Sequence, residues 1–142
     1  MEEKLNSYLS FAENDYLFFR HAYDSGNKGS ALAALGQSIC ERYLKHIISE
    51  FAQPENRNEI QDKENVLRTH SLRRLMRYIQ ENMGLEISDT AEISMDRIDG
   101  FYFTTRYPGS ESFIPSEKDI DKANRAVEEA RNFTLEICQR FA

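Results

Sequence analysis

No apolar run in this 142-residue chain approaches the length of a membrane span, which argues against a transmembrane helix. The opening Met1-Glu2-Glu3-Lys4 lacks the basic start and apolar stretch of a secretory leader. Together these absences point to the cytoplasm and away from the membrane. Cysteine is scarce, and Cys40 and Cys138 stand within helical patterns where a small core residue needs no oxidising environment. The three histidines, His21, His46 and His70, have no second ligand at a helical or short-loop spacing, so neither a metal nor a cofactor is expected. There is no glycine-rich strand-to-helix turn to cradle phosphates. Nothing alternates with period two for long enough to suggest a sheet. The net charge of -6 argues against a whole-surface affinity for nucleic acid or anionic membrane, and leaves room for a local basic site.

What remains is helical. The size suits one domain, residues 1–142, and the 40% hydrophobic content suffices for a core. Glycine and proline punctuate the chain, and Gly36 alone falls inside a segment that reads as regular. The spacing predicts a helix before Gly26, a second over Ser30 to Gln53, a third from His70 to Gly84, and a last from Ser116 to the C-terminus. Gly84 suits a C-cap, and Ser116-Glu117-Lys118-Asp119 reads as an N-cap with acids in the first turn. Leu5, Leu9, Ala12, Tyr16, Phe19 and Tyr23 step by three and four, as do Leu32, Leu35, Ile39, Tyr43, Ile47 and Phe51. Ile120, Ala123, Val127, Ala130, Ile137 and Phe141 repeat the pattern. The expected fold is all-α, an antiparallel up-down bundle of four long helices with short helical segments, and with Gly36 at a close crossing. Gln53 to Asn65, whose one large aliphatic residue is Ile60, reads as an exposed loop. Asp89 to Ile114 reads as a short helix followed by an extended stretch.

Two stretches stand out chemically. Arg68 to Arg77 holds four arginines, one histidine and no acid. On a helix His70, Arg73, Arg74 and Arg77 fall within about 100° of one another, opposite Leu72, Leu75, Met76, Ile79 and Met83. Such a face suits phosphate recognition, aided by the helix N-terminus. The alternative is a solvated face whose arginines pair with acids of neighbouring helices. The second stretch, Asp99 to Gly109, sets Phe101, Tyr102, Phe103 and Tyr107 around Arg106. It reads either as a packed crossover or as a binding segment, with Arg106 on a phosphate and Tyr102 or Tyr107 stacking on a base.

The order of these features resembles the HEPN domain, a family named for nucleotide binding in higher eukaryotes and prokaryotes. The resemblance rests on the acidic-aromatic Ala12-Glu13-Asn14-Asp15-Tyr16, on Gln37 followed by Glu41-Arg42-Tyr43-Leu44-Lys45, on His70-Ser71-Leu72 with Leu75, and on Thr105-Arg106-Tyr107-Pro108 with upstream Asp99 and Tyr102. Catalytic members are ribonucleases that use an arginine followed, after four to six residues, by a histidine. Arg42 precedes His46 by one residue too few, and Arg20 and Arg68 stand closer still to His21 and His70. The resemblance therefore implies a non-catalytic, stand-alone member. It would bind nucleotides through His70, Arg73, Arg74, Arg77, Tyr102, Arg106 and Tyr107, or partner a separately encoded nucleotidyltransferase, as in a toxin-antitoxin pair. Ribonuclease activity is a distant third. The aromatic residues of the first helix, Tyr8, Phe11, Tyr16, Phe18, Phe19 and Tyr23, spread over more of its circumference than one bundle face can bury, so a homodimer is expected.

Overall fold

The computed structural model describes residues 7–27, 29–104, 108–109 and 114–142, and of Tyr102 and Phe103 the backbone alone. Every regular element among them is helical: α1 (Tyr8–Asp24), α2 (Ser30–Phe51), α3 (Arg57–Leu67), α4 (Leu72–Glu81), α5 (Asp89–Ile98), α6 (Phe101–Thr104) and α7 (Glu117–Arg140). No helix among the described residues is long and apolar enough to cross a membrane. The chain is all-α, as its periodicity requires.

α2 is the central helix. Its apolar stripe is so wide that Leu32, Ile39, Cys40, Tyr43, Leu44, Ile47 and Ile48 are all buried, and it packs against α1 on one side and α7 on another. Gly36 sits where these three meet. A Cβ there would stand 3.0 Å from the Ala123 Cβ and 3.4 Å from Phe19 Cε2. Glycine at this position is a packing requirement, which justifies its helix-propensity cost.

Side-chain pairings fix the directions. Arg131 donates to Glu13 (2.9 and 3.2 Å), Tyr16 to Glu128 (2.8 Å) and Tyr23 to Asp121. Ascending positions on α1 meet descending ones on α7, so the two run antiparallel. Tyr43 also donates to Glu13 (2.6 Å), and Arg42 pairs with Asp15, making α1 antiparallel to α2.

Three expectations are modified. Gln53 to Asn65, read as a loop, contains most of α3. Asn56 caps it by accepting from the Glu59 N–H (2.9 Å), and Lys63 Nζ donates to the Ser49 and Ala52 carbonyls (3.2 and 3.1 Å) at the end of α2. A cation on the last carbonyls of a helix is well placed against its dipole. Secondly, α4 is short, ten residues, and runs in the sense of α2: Gln37 reaches His70 at one end, while Phe51 and Tyr78 share a recess at the other. The return of the chain along α3 causes this. The antiparallel third member of the bundle is instead α5, whose Ala91, Ser94, Met95 and Ile98 are buried. Thirdly, Cys138 is only partly buried, whereas Cys40 is fully so. Elsewhere the local chemistry is as read. Ser116 and Asp119 form a reciprocal capping box. Gly84 takes φ +65 beyond α4, and the Leu85 N–H returns to the Ile79 carbonyl (3.1 Å).

Candidate functional site

A row of polar residues crosses the otherwise apolar interior beside the start of α4. Gln37, Glu41 and Lys45 recur every fourth residue on α2, hence on one face. Gln37 is fully buried, and Glu41 and Lys45 nearly so. Gln37 Nε2 donates to Glu41 Oε1 (3.2 Å) and to the His70 carbonyl (2.8 Å). Glu41 Oε2 meets His70 Nδ1 at 3.2 Å and Lys45 Nζ at 3.7 Å. Burial pushes the Lys45 ammonium below its ordinary pKa, against the pull of Glu41. The His70 ring, by contrast, is more than half exposed. The row therefore runs from the interior to the surface and ends on an imidazole.

The turn before α4 is built by hydroxyls and a distant acid. Ser71 caps the helix at the Arg74 N–H (3.3 Å), and Thr69 Oγ1 accepts from the Ser71 N–H (3.2 Å). Asp99, just beyond α5, reaches back to the same end. It accepts from the Leu72 N–H (2.8 Å), the Arg73 N–H (3.3 Å) and the Ser71 hydroxyl (3.2 Å). A carboxylate of the chain itself thus fills the anion-binding position that a helix N-terminus offers.

Of the four residues expected on the basic face, Arg73, Arg74 and Arg77 lie on α4 and His70 just before it, and their partners differ. Arg73 is paired with Asp96, as the solvated-face alternative anticipated. His70 meets Glu41. Among the described residues Arg74 donates to Thr69 Oγ1 alone (3.4 Å), and Arg77 makes no ion pair. Arg77 lines a recess of about 200 Å³ with Arg73, Met76, Gln80, Glu81, Glu92 and Asp96. Leu72, Leu75, Met76 and Ile79 are buried on the opposite side. Tyr102 lies on α6, which packs against α2; Arg106 and Tyr107 lie outside the described residues. Asp99 was not legible as a cap, since nothing local ties it to a helix that begins 27 residues earlier. Gln37, Glu41 and Lys45 were visible as a motif, and their four-residue spacing is the signal that they share a face.

Arg42 and His46 stand one turn apart on α2 in unlike surroundings. Arg42 pairs with Asp15 and lies 5.9 Å from the Phe11 ring centroid. His46 is buried edge-on to Phe51, with Nδ1 lacking a hydrogen-bond partner among the described residues. Burial lowers its pKa, and Glu50 opposes that shift. The Cys40 thiol is pushed far up by burial, leaving no nucleophile there.

The sequence model of the HEPN domain matches residues 60–140, from α3 to the end of α7. The chain belongs to the HEPN family. Neither the curated proteins nor the solved structures include a match to it. The matched span contains His70, the three arginines of α4 and Asp99, whereas the Gln37–Glu41–Lys45 row precedes it.

Proposed function

We propose that this chain is a non-catalytic HEPN module that binds a phosphate-bearing ligand, a nucleotide, where the α2 polar row meets the first turns of α4. The observation that carries this reading is the buried Gln37–Glu41–Lys45 row ending on exposed His70. Taking a carboxylate and an ammonium out of water costs more than their attraction returns, and apolar residues of similar size often stabilise a fold better. A row kept at that cost, and led to the surface, serves to hold His70 in place. Arg74 and Arg77, which make no ion pair among the described residues, supply the charge for phosphate. Arg73, already paired, contributes less. Tyr102, Arg106 and Tyr107 belong to the same proposal as base-stacking and phosphate contacts from the segment after α5. The spacing of Arg42 and His46 speaks against ribonuclease chemistry, as does the burial of His46, because a general acid or base must reach its substrate.

Calorimetric titration with purine and pyrimidine triphosphates tests this. The wild type is expected to bind, with Arg74→Ala and Arg77→Ala each weakening affinity up to roughly tenfold, the range for one charge-assisted contact on a partly open face. Arg73→Ala should do less. Absence of binding at millimolar ligand would sink the proposal.

One observation favours a second role, protein interaction. α1 leaves Phe11, Leu17 and Phe18 exposed, Leu17 and Phe18 by about two thirds. Apolar surface of this kind suits a partner, either a second copy of the chain or a nucleotidyltransferase. Light scattering at tens of micromolar separates these: a dimer mass supports the first, and a monomer mass leaves the face to a different protein.

A further inference from the structure

α7 segregates its charges by neighbour. Asp121 and Glu128 turn toward α1, where Tyr23, Tyr16 and Arg20 engage them. Lys118, Lys122 and Arg125 follow at i, i+4 and i+7, and therefore share a face about 10 Å long. That face borders α5, which brings Arg97 opposite. The four cations, with Ser94 and Asp121, line a pocket of about 240 Å³ between the two helices. Ser94 is buried beneath it, and the four cations are exposed at its walls.

The fold neutralises that charge only in part. Among the described residues, Arg97, Lys118 and Arg125 make no ion pair. Lys122 reaches Asp119 at 3.7 Å, but Asp119 is already engaged in the capping box with Ser116. Asp121 accepts from Tyr23. The next acid along the same face, Glu129, lines a separate recess with Glu86 and Glu136. Four cations around one pocket repel one another, and in a chain of net charge -6 they are not a by-product of a basic composition. Two arginines with planar forks and two lysines with point charges are the donor set suited to several phosphate oxygens at once.

We propose that the α5–α7 pocket is a second anion site, which takes a chain of two or three linked phosphates across Arg97, Lys118, Lys122 and Arg125. This site is distinct from the one proposed at the start of α4, since Arg97 is on α5 and the other three are on α7. A single orthophosphate engages only part of the row, so affinity rises with the number of linked phosphates.

Titration of the full chain with inorganic orthophosphate, pyrophosphate and tripolyphosphate in a low-salt chloride buffer tests it. The expected order of affinity is tripolyphosphate, then pyrophosphate, then orthophosphate, weakening steeply as salt is added. The double variant Arg97→Gln/Arg125→Gln should lose at least tenfold in tripolyphosphate affinity while keeping its circular dichroism spectrum. Arg57→Gln, which removes an exposed cation at the start of α3, should leave it unchanged. Equal affinity for ATP and tripolyphosphate would mean that the phosphate chain alone is recognised, as proposed. The inference is overturned if the wild type binds no tripolyphosphate at millimolar concentration, or if binding survives Arg97→Gln/Arg125→Gln. Loss in Arg74→Ala/Arg77→Ala alone would assign the binding to the α4 site and overturn it equally. Binding of a short RNA without tripolyphosphate would replace an oligophosphate site by a nucleic-acid surface.

Discussion

Replacing Gly36 by alanine sets two effects of similar size against each other. Alanine in a helix interior is favoured over glycine by roughly 0.5–1 kcal/mol. At this crossing the added methyl meets the Ala123 Cβ at 3.0 Å, the Phe19 ring at 3.4 Å and the Ala123 Cα at 3.7 Å. The Ala123 atoms cannot swing aside, because they are fixed to the α7 backbone. Overpacking of this kind costs typically 1–3 kcal/mol. The clash wins, and Gly36→Ala should destabilise by about 1 kcal/mol. Ala123→Gly removes the obstructing methyl and should itself cost about 1–2 kcal/mol in propensity and burial. In that background the sign reverses: Gly36→Ala should then stabilise by up to about 1 kcal/mol, a coupling of roughly 2 kcal/mol. Urea unfolding of the four proteins at one fixed concentration measures the cycle, with concentration held constant because self-association would add to apparent stability. A Gly36→Ala protein more stable than wild type would refute the close crossing.

Three further outcomes are expected. Burial alone would raise the Glu13 carboxyl, but donation from Arg131 and Tyr43 outweighs it and holds the pKa below the ordinary 4.5. A carboxylate depressed in the fold stabilises above its unfolded pKa and loses that contribution as pH falls through the folded value, so Glu13→Gln should flatten the stability profile below about pH 4.5. Asp99→Ala leaves the amides of Leu72 and Arg73 without their acceptor and should cost about 1–2 kcal/mol in unfolding free energy; an unchanged midpoint would show that Asp99 does not cap α4. Purified protein should leave single-stranded RNA uncut, and cleavage that disappears in His46→Ala or His70→Ala would overturn the non-catalytic reading.

The parts of the fold legible in the sequence are those held by their own periodicity. α1, α2 and α7 carry continuous apolar stripes bounded by Gly26 and Gly29, by Pro54 and by the capping Ser116, and their boundaries followed. α3 did not, because it is polar nearly all round. It is held by Asn56 and by Lys63 bonding the end of α2, and the second of these depends on folding. The sense of α4 was hidden for the same reason, since it depends on α3 returning the chain. At the site, the arginines of α4 were visible because they share a helix face. What each does depends on acids far along the chain: Asp96 takes Arg73, and Asp99 takes the backbone amides. Lys118, Lys122 and Arg125 likewise share a face, but only the packing of α5 adds Arg97 and makes a pocket of them.

The proposed nucleotide site at α4 is tested most directly by following backbone amide resonances of isotopically labelled protein during titration with ATP. Saturable shifts over Thr69 to Arg77, with Gln37 and Glu41 responding and the exposed face of α1 silent, are the predicted result, beside a separate set over Arg97 and Lys118 to Arg125 from the α5–α7 pocket. Shifts confined to α5 and α7, or none at millimolar ATP, would contradict it.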